Sequence, residues 1–276
     1  MKKITVVFIF IGVIFSTPCK ADQLPLWEVG FGLTGLYLPD YRGSDESRGH
    51  LLPVPYIMYR GKIIKVEKDT IKGQIFESDR LKLDVSLGGG VSVDSDENQA
   101  RAGMPDLDFT AELGPSLEIN LWENTGGKQS LWLKLPLRTV FSVSSSDLDY
   151  QGLKFAPYLN FQWKTNGARP WKIALSAGPI FANRQYHDYF YEVEPAFVTP
   201  VRSEYHPDGG YGGSRITLTV QSHFKNFWIG AFARYDTLSD AVFEESPLVK
   251  SDDYMAVGVV IAWVAFRSKT LVEAKQ

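Results

Sequence analysis

Eight charged residues sit at alternate positions within otherwise apolar runs: Glu28, Lys82, Asp84, Glu112, Glu118, Lys134, Arg138 and Lys154. Alternation at period two puts such residues on one face of a strand. Carboxylates and cations on neighbouring strands can pair across that face. Inside a closed sheet they would line a narrow pore of mixed selectivity or fill the lumen as an ion-paired plug. Both readings stand on these residues alone. Nucleophilic catalysis has little to work with. There is no Gly-x-Ser-x-Gly, no phosphate-binding loop and no metal-spaced histidine pair. His187-Asp188 with Ser203 or Ser214 makes a hydrolytic triad only on paper. Solvated loop residues are the plainer account of them. No catalytic, cofactor-binding or metal-ligating residue is therefore expected.

The elements that must carry the charged residues are long alternating strands. From Leu81 to Val93 one face reads Leu81, Leu83, Val85, Leu87, Gly89, Val91, Val93, and the other Lys82, Asp84, Ser86, Gly88, Gly90, Ser92. This exceeds the roughly 5–6 residues of an ordinary strand and matches the about 9–11 needed for a tilted strand to cross a bilayer. Val85→Arg on the lipid face is expected to cost roughly 2–4 kcal/mol, and Ser86→Arg on the lumen face to be tolerated. Similar runs begin at Trp27, Leu51, Phe109, Leu131, Phe155, Trp171, Ile216, Phe227 and Met255, with two weaker ones at Ile63–Glu67 and Ile71–Glu77. The sum is an all-β, antiparallel transmembrane barrel of about twelve strands.

Connections alternate in length. Those at 39–49, 94–107, 144–149, 184–212 and 238–253 are long and share one side, while those at 60–62, 122–130, 164–169 and 225–226 are short and share the other. Long outer loops and short periplasmic turns are the asymmetry of outer-membrane barrels. Trp27, Tyr37, Trp163, Trp171, Tyr235 and Trp263 fall near strand ends, where interfacial girdles belong. A soluble β-sandwich explains neither these aromatics nor the strand lengths. The segment 184–212 is long enough to be functional, mobile or folded inward as a plug.

Residues 1–21 read as a signal peptide: Lys2 and Lys3, an apolar run Ile4 to Phe15, then Cys19-Lys20-Ala21, placing cleavage between Ala21 and Asp22. The barrel domain is then 22–276, with a tail after Phe266. Cys19 is the sole cysteine, and Pro18 before it does not suit a lipid-attachment box, so the mature barrel must close by hydrogen bonding rather than disulfides. The formal net charge of −3, more negative once the leader's lysines are removed, argues against nucleic acid as a partner.

Several segments resemble the MltA-interacting protein (MipA/OmpV) family. They are Pro39-Asp40-Tyr41-Arg42-Gly43-Ser44, Leu52-Pro53-Val54-Pro55-Tyr56-Ile57 followed by Tyr59-Arg60-Gly61, and Tyr189-Phe190-Tyr191 with Pro195-Ala196. Gly209-Gly210-Tyr211-Gly212-Gly213 and Ser246-Pro247-Leu248-Val249 complete the set. The resemblance implies an outer-membrane barrel of a Gram-negative bacterium, surrounded by outer-membrane lipid. It further implies a scaffold for peptidoglycan remodelling, with a lytic transglycosylase (murein hydrolase) and a murein-synthesising penicillin-binding protein as partners. It supplies no catalytic residues. The alternative, from the charged inner face, is a narrow pore for small solutes. Outer-membrane barrels usually end on an aromatic residue; here Trp263 and Phe266 are the candidates, with Arg267 to Gln276 beyond.

Overall fold

The computed structural model describes residues 23–60, 64–67, 70–73, 76–78, 80–144, 147–167 and 169–273. The expected leader, the Ala21–Asp22 cleavage point and Gly61 lie outside these residues.

Sixteen strands, β1 to β16 in chain order, run as follows: Gln23–Pro25, Trp27–Pro39, Ser47–Arg60, Ile64–Glu67, Thr70–Gly73, Phe76–Glu77, Leu81–Gly90, Phe109–Glu123, Gln129–Val143, Leu148–Phe155, Tyr158–Lys164, Trp171–Ala182, Gly210–Phe224, Phe227–Thr237, Asp253–Arg267 and Leu271–Glu273. One α-helix, α1, spans Arg184–Tyr191. Every pairing is antiparallel, and spatial neighbours are almost always sequence neighbours. β15 returns to pair with β2. β4 and β5 follow β3, β6 pairs with β7, and β5 lies against β7, so the sheet comes back on itself. β10 and β11 are one stave interrupted at Ala156-Pro157, since β9 and β12 each pair with both. With β5 and β6 also taken as one, the described residues form a barrel of twelve staves.

Alternation explains which face is which. Leu81 is exposed outward while Asp84 and Ser86 are buried inward. Along β15, Met255, Val257, Val259, Ile261 and Trp263 are exposed, and Tyr254, Ala256, Ala262 and Val264 are buried. A continuous belt of exposed leucine, valine and aromatic side chains is far larger than a soluble monomer tolerates, and is stable where lipid is the solvent. Trp27, Trp163, Trp171 and Trp263 ring the end with short turns, and Tyr37 and Tyr235 lie near the end with long loops; all six are exposed.

Several boundaries differ from the sequence expectation. β7 ends at Gly90, and Val93 leaves the lipid face to bridge Leu107 and is buried. The stave read from Phe155 already starts at Leu148, and β13 starts at Gly210 rather than Ile216. The tail beyond Phe266 is structured as far as Glu273: Leu271–Glu273 pairs with Gln23–Pro25, clasping the two ends of the described residues. β4 and β5 span only four residues each. Among the described residues, the edge of β3 from Ser47 to Met58 therefore has no ladder partner on their side. Above this gap, Arg48 pairs with Asp40 and Glu97.

Candidate functional site

The segment 184–212 is not a free loop. Asn183 caps α1, its Oδ1 accepting from Tyr186 N at 3.2 Å and from Leu153 N of β10 at 2.9 Å. Gly152 makes room for this seat: its φ is +110°, and a Cβ there would come within 2.7 Å of Tyr186 N. Such a conformation favours glycine. α1 thus docks on the inner wall, with Tyr186 packed against Val140 and Ala182.

The other long connections fold around α1. Tyr41, Val93, Leu107, Tyr191, Val193, Leu238, Ala241, Phe243 and Leu248 form one buried apolar core drawn from four loops. Tyr191 and Phe243 stack at 3.7 Å between ring centroids. Two buried arginines staple this cap through backbone carbonyls. Arg101 donates to Phe190 O (3.2 Å) and Pro105 O (3.0 Å), and Arg202 to Phe197 O (2.9 Å), Ala100 O (2.9 Å) and Ala102 O (3.1 Å). Burial lowers the pKa of Arg101. The Pro39–Ser44 motif lies in the cap. Asp40 Oδ2 and Ser44 Oγ both accept from Asn98 Nδ2, at 2.9 and 3.1 Å. Tyr41 OH donates to Leu248 O (2.7 Å), beside Pro247. Gly43, at φ +96°, accepts from Lys250 N (2.7 Å). Of the other motif residues, Pro53 is exposed on the outer face and Tyr56 buried inside, Arg60 pairs across to β4, and Gly210 opens β13.

His187 departs from the solvated reading. It is 1% exposed, with Nδ1 donating to Asp208 O at 2.7 Å and its ring 4.7 Å from that of Phe243. Burial lowers its pKa, so the ring is neutral. Ser203 is exposed, and Ser214 Oγ is engaged by Tyr211 OH at 2.8 Å. The partners of these residues are not each other.

Below the cap, Glu28, Asp84, Glu112, Glu118 and Lys154 are buried. Lys82, Glu118 and Lys134 stand in one row across β7, β8 and β9. Lys134 Nζ donates to Glu118 Oε1 at 2.9 Å, and Lys82 Nζ lies 4.7 Å above the Trp132 ring. Glu28 pairs with Arg267 (3.4 Å) and accepts from Tyr56 OH (3.3 Å). Asp84 is buried. Nearer the cap, Glu112 accepts from Lys154 Nζ and, at 3.1 Å, from Arg138 Nη1. Arg138 Nε also donates to Ser86 Oγ at 2.9 Å. Ser86→Arg would set a second guanidinium against Arg138, so the expected tolerance at Ser86 does not suit this geometry.

A second cluster was missed from the sequence. Asp236, fully buried, meets Arg215 Nε at 2.8 Å, Arg234 Nε at 3.0 Å and Arg42 Nε at 3.5 Å. Arg42 Nε also donates to Tyr254 OH at 3.0 Å. The signal was present: Arg215 precedes the outward Ile216, and Arg234 and Asp236 flank the outward Tyr235.

The two ends differ in charge. The turn end exposes Arg80, Lys128, Lys164, Arg169, Lys172 and Lys225. The loop end exposes Asp45, Glu97, Glu194, Glu204, Asp240 and Glu245.

The family model described as MltA-interacting protein MipA matches residues 31–265. No curated protein matches the chain. Among solved structures, a CymD monoaromatic hydrocarbon channel is similar at 9% identity and a TM-score of 0.29, over 88% of this chain and 68% of that one. A Pseudomonas aeruginosa FadL homologue is similar at 11% identity and a TM-score of 0.29, over 78% of this chain and 60% of that one.

Proposed function

This chain belongs to the MltA-interacting protein MipA family, and on that premise we propose that it is an interaction protein of the Gram-negative outer membrane. Its partner is a peptidoglycan-remodelling enzyme of the lytic transglycosylase class, with a murein-synthesising penicillin-binding protein as a second. The observation that carries this reading is the cap. Four long connections share a buried apolar core across one mouth, which suits a barrel used for its surface more than one used for its bore. The basic turn end, facing the periplasm, is the surface offered to the partner; clustered cations steer an acidic surface into place. No catalytic role is assigned to the chain itself.

The test is capture from envelope extracts on the full chain, read by murein-cleaving activity and identification of the bound enzyme. A murein hydrolase should be retained. It should be lost when Lys128, Lys164, Arg169 and Lys225 are all changed to glutamate. Recovery of no murein enzyme would reject the reading.

A narrow pore is the second reading, favoured by the charged inner face and the half-length staves β4 and β5. Discrete conductance from the intact chain in planar bilayers would support it, and a silent chain would sink it.

A further inference from the structure

The interior is not evenly charged along the barrel. In the half nearer the turns, Lys82, Lys134 and Arg267 are matched by Asp84, Glu118 and Glu28. In the half beneath the cap, among the described residues, Arg42, Arg138, Lys154, Arg215 and Arg234 share only Asp236 and Glu112. Five cations face two carboxylates. The two groups adjoin near Tyr186 of α1, whose ring lies 5.7 Å from Lys154 Nζ and whose hydroxyl is within electrostatic reach of Arg42 and Arg215.

Several guanidinium donors remain uncommitted. A guanidinium carries five N–H groups. Arg215 and Arg234 reach Asp236 through Nε and keep 32% and 24% of their side chains accessible. The Nη2 of Arg42 is buried and without a hydrogen-bond acceptor among the described residues. Gly213 leaves it space, since a Cβ there would sit 3.0 Å away. Cations crowded behind low-dielectric walls repel one another unless a counter-charge joins them. Guanidinium forks match the paired oxygens of phosphate, and several can share one such group.

We propose that the cluster of Arg42, Arg215, Arg234, Arg138 and Lys154 beneath the cap is a binding site for a phosphate-type oxyanion. A dianion there offsets most of the excess positive charge. Asp236 holds the arginines in place and competes with the ligand for them. The site stands whether or not the turn end engages a partner. The phosphate could belong to a small solute or to a phospholipid headgroup.

The test uses the full chain folded in zwitterionic detergent. Inorganic phosphate is titrated by calorimetry at fixed ionic strength, and phosphatidylglycerol retained from mixed-lipid nanodiscs is measured by native mass spectrometry. Saturable phosphate binding assigns the site to small solutes. Retained phosphatidylglycerol without phosphate binding assigns it to lipid. Arg215→Gln and Arg234→Gln should each weaken whichever ligand binds by about tenfold. Lys134→Gln, in the balanced half, should leave it unchanged. Asp236→Asn should tighten binding, a sign that general damage to the fold does not produce. Wild-type chain that binds neither ligand, or a Lys134→Gln loss equal to that of Arg215→Gln, would overturn the proposal.

Discussion

At the scale of single residues, burial decides what a side chain does. His187 looks from the sequence like one more polar residue in a Tyr-rich loop. In the structure it is an apolar-packed, neutral ring with one backbone hydrogen bond. Its pKa is lowered by burial, partly offset by the Asp208 carbonyl. The unfolded ring, near its ordinary value of about 6.5, takes a proton first as pH falls. The stability His187 contributes is therefore complete above that value and is lost as pH drops towards the depressed native pKa. His206 works in the opposite sense, its pKa raised by the hydrogen bonds it donates to Glu192 and Glu204, but it is fully exposed and counts for little. Amide exchange in the cap should rise as pH falls below about 6.5, and His187→Phe should flatten that dependence. An unchanged pH profile in the variant would show that the buried ring is not the titrating group. Local sequence does not mark His187 as buried, because the ring that covers it, Phe243, comes from a different connection.

At the scale of elements, the staves were legible and the cap was not. A strand with lipid on one side and paired polar groups on the other keeps a strict period of two, and Leu81 to Gly90 carries that signal without help from the rest of the chain. Where the period stops mattering, the sequence misleads: Val91 and Val93 continue the alternation, yet Val93 turns into the cap. The alternation of β8, β9 and β10 is legible for the same reason, while Arg215, Arg234 and Asp236 stand out only when the residues flanking the outward Ile216 and Tyr235 are read together. The faces can be checked directly. Val85→Arg, on the outer face of β7, should cost roughly 2–4 kcal/mol. Gln162→Arg, on the inner and accessible face of β11, should stay within about 0.5 kcal/mol. Denaturant titration of refolded barrels in bilayers compares the two. Equal costs would mean the assigned faces are wrong.

At the scale of the whole molecule, the barrel is a polar object in two senses. Acidic residues crowd the capped mouth and basic residues the turns, while the formal charge of the chain is only −3. Composition averages this away; it appears once the connections are sorted by side. The cap also makes the bore asymmetric, since α1 and the arginine cluster sit at one end. Replacing residues 187–206 by a short Gly-Ser linker should convert a silent chain into a conducting one. The new current should favour anions, because the opened mouth would be lined by Arg42, Arg215 and Arg234. No current would show that the cap is not what closes the barrel, and a cation-selective current that the arginines do not line the opened mouth.

The clasp between Gln23–Pro25 and Leu271–Glu273 bears on how the barrel is made. It lies beside the end of the β2–β15 seam where Glu28 meets Arg267. Nearly every other pairing joins strands adjacent in the chain and can zip as a hairpin. Among the described residues, only the seam and the clasp beside it bring together segments separated by almost the full length, the slowest kind of contact to form. The clasp holds those two edges in reach of each other, so it acts as a latch on closure. Removing residues 268–276 should slow the final folding phase more than it weakens the finished barrel.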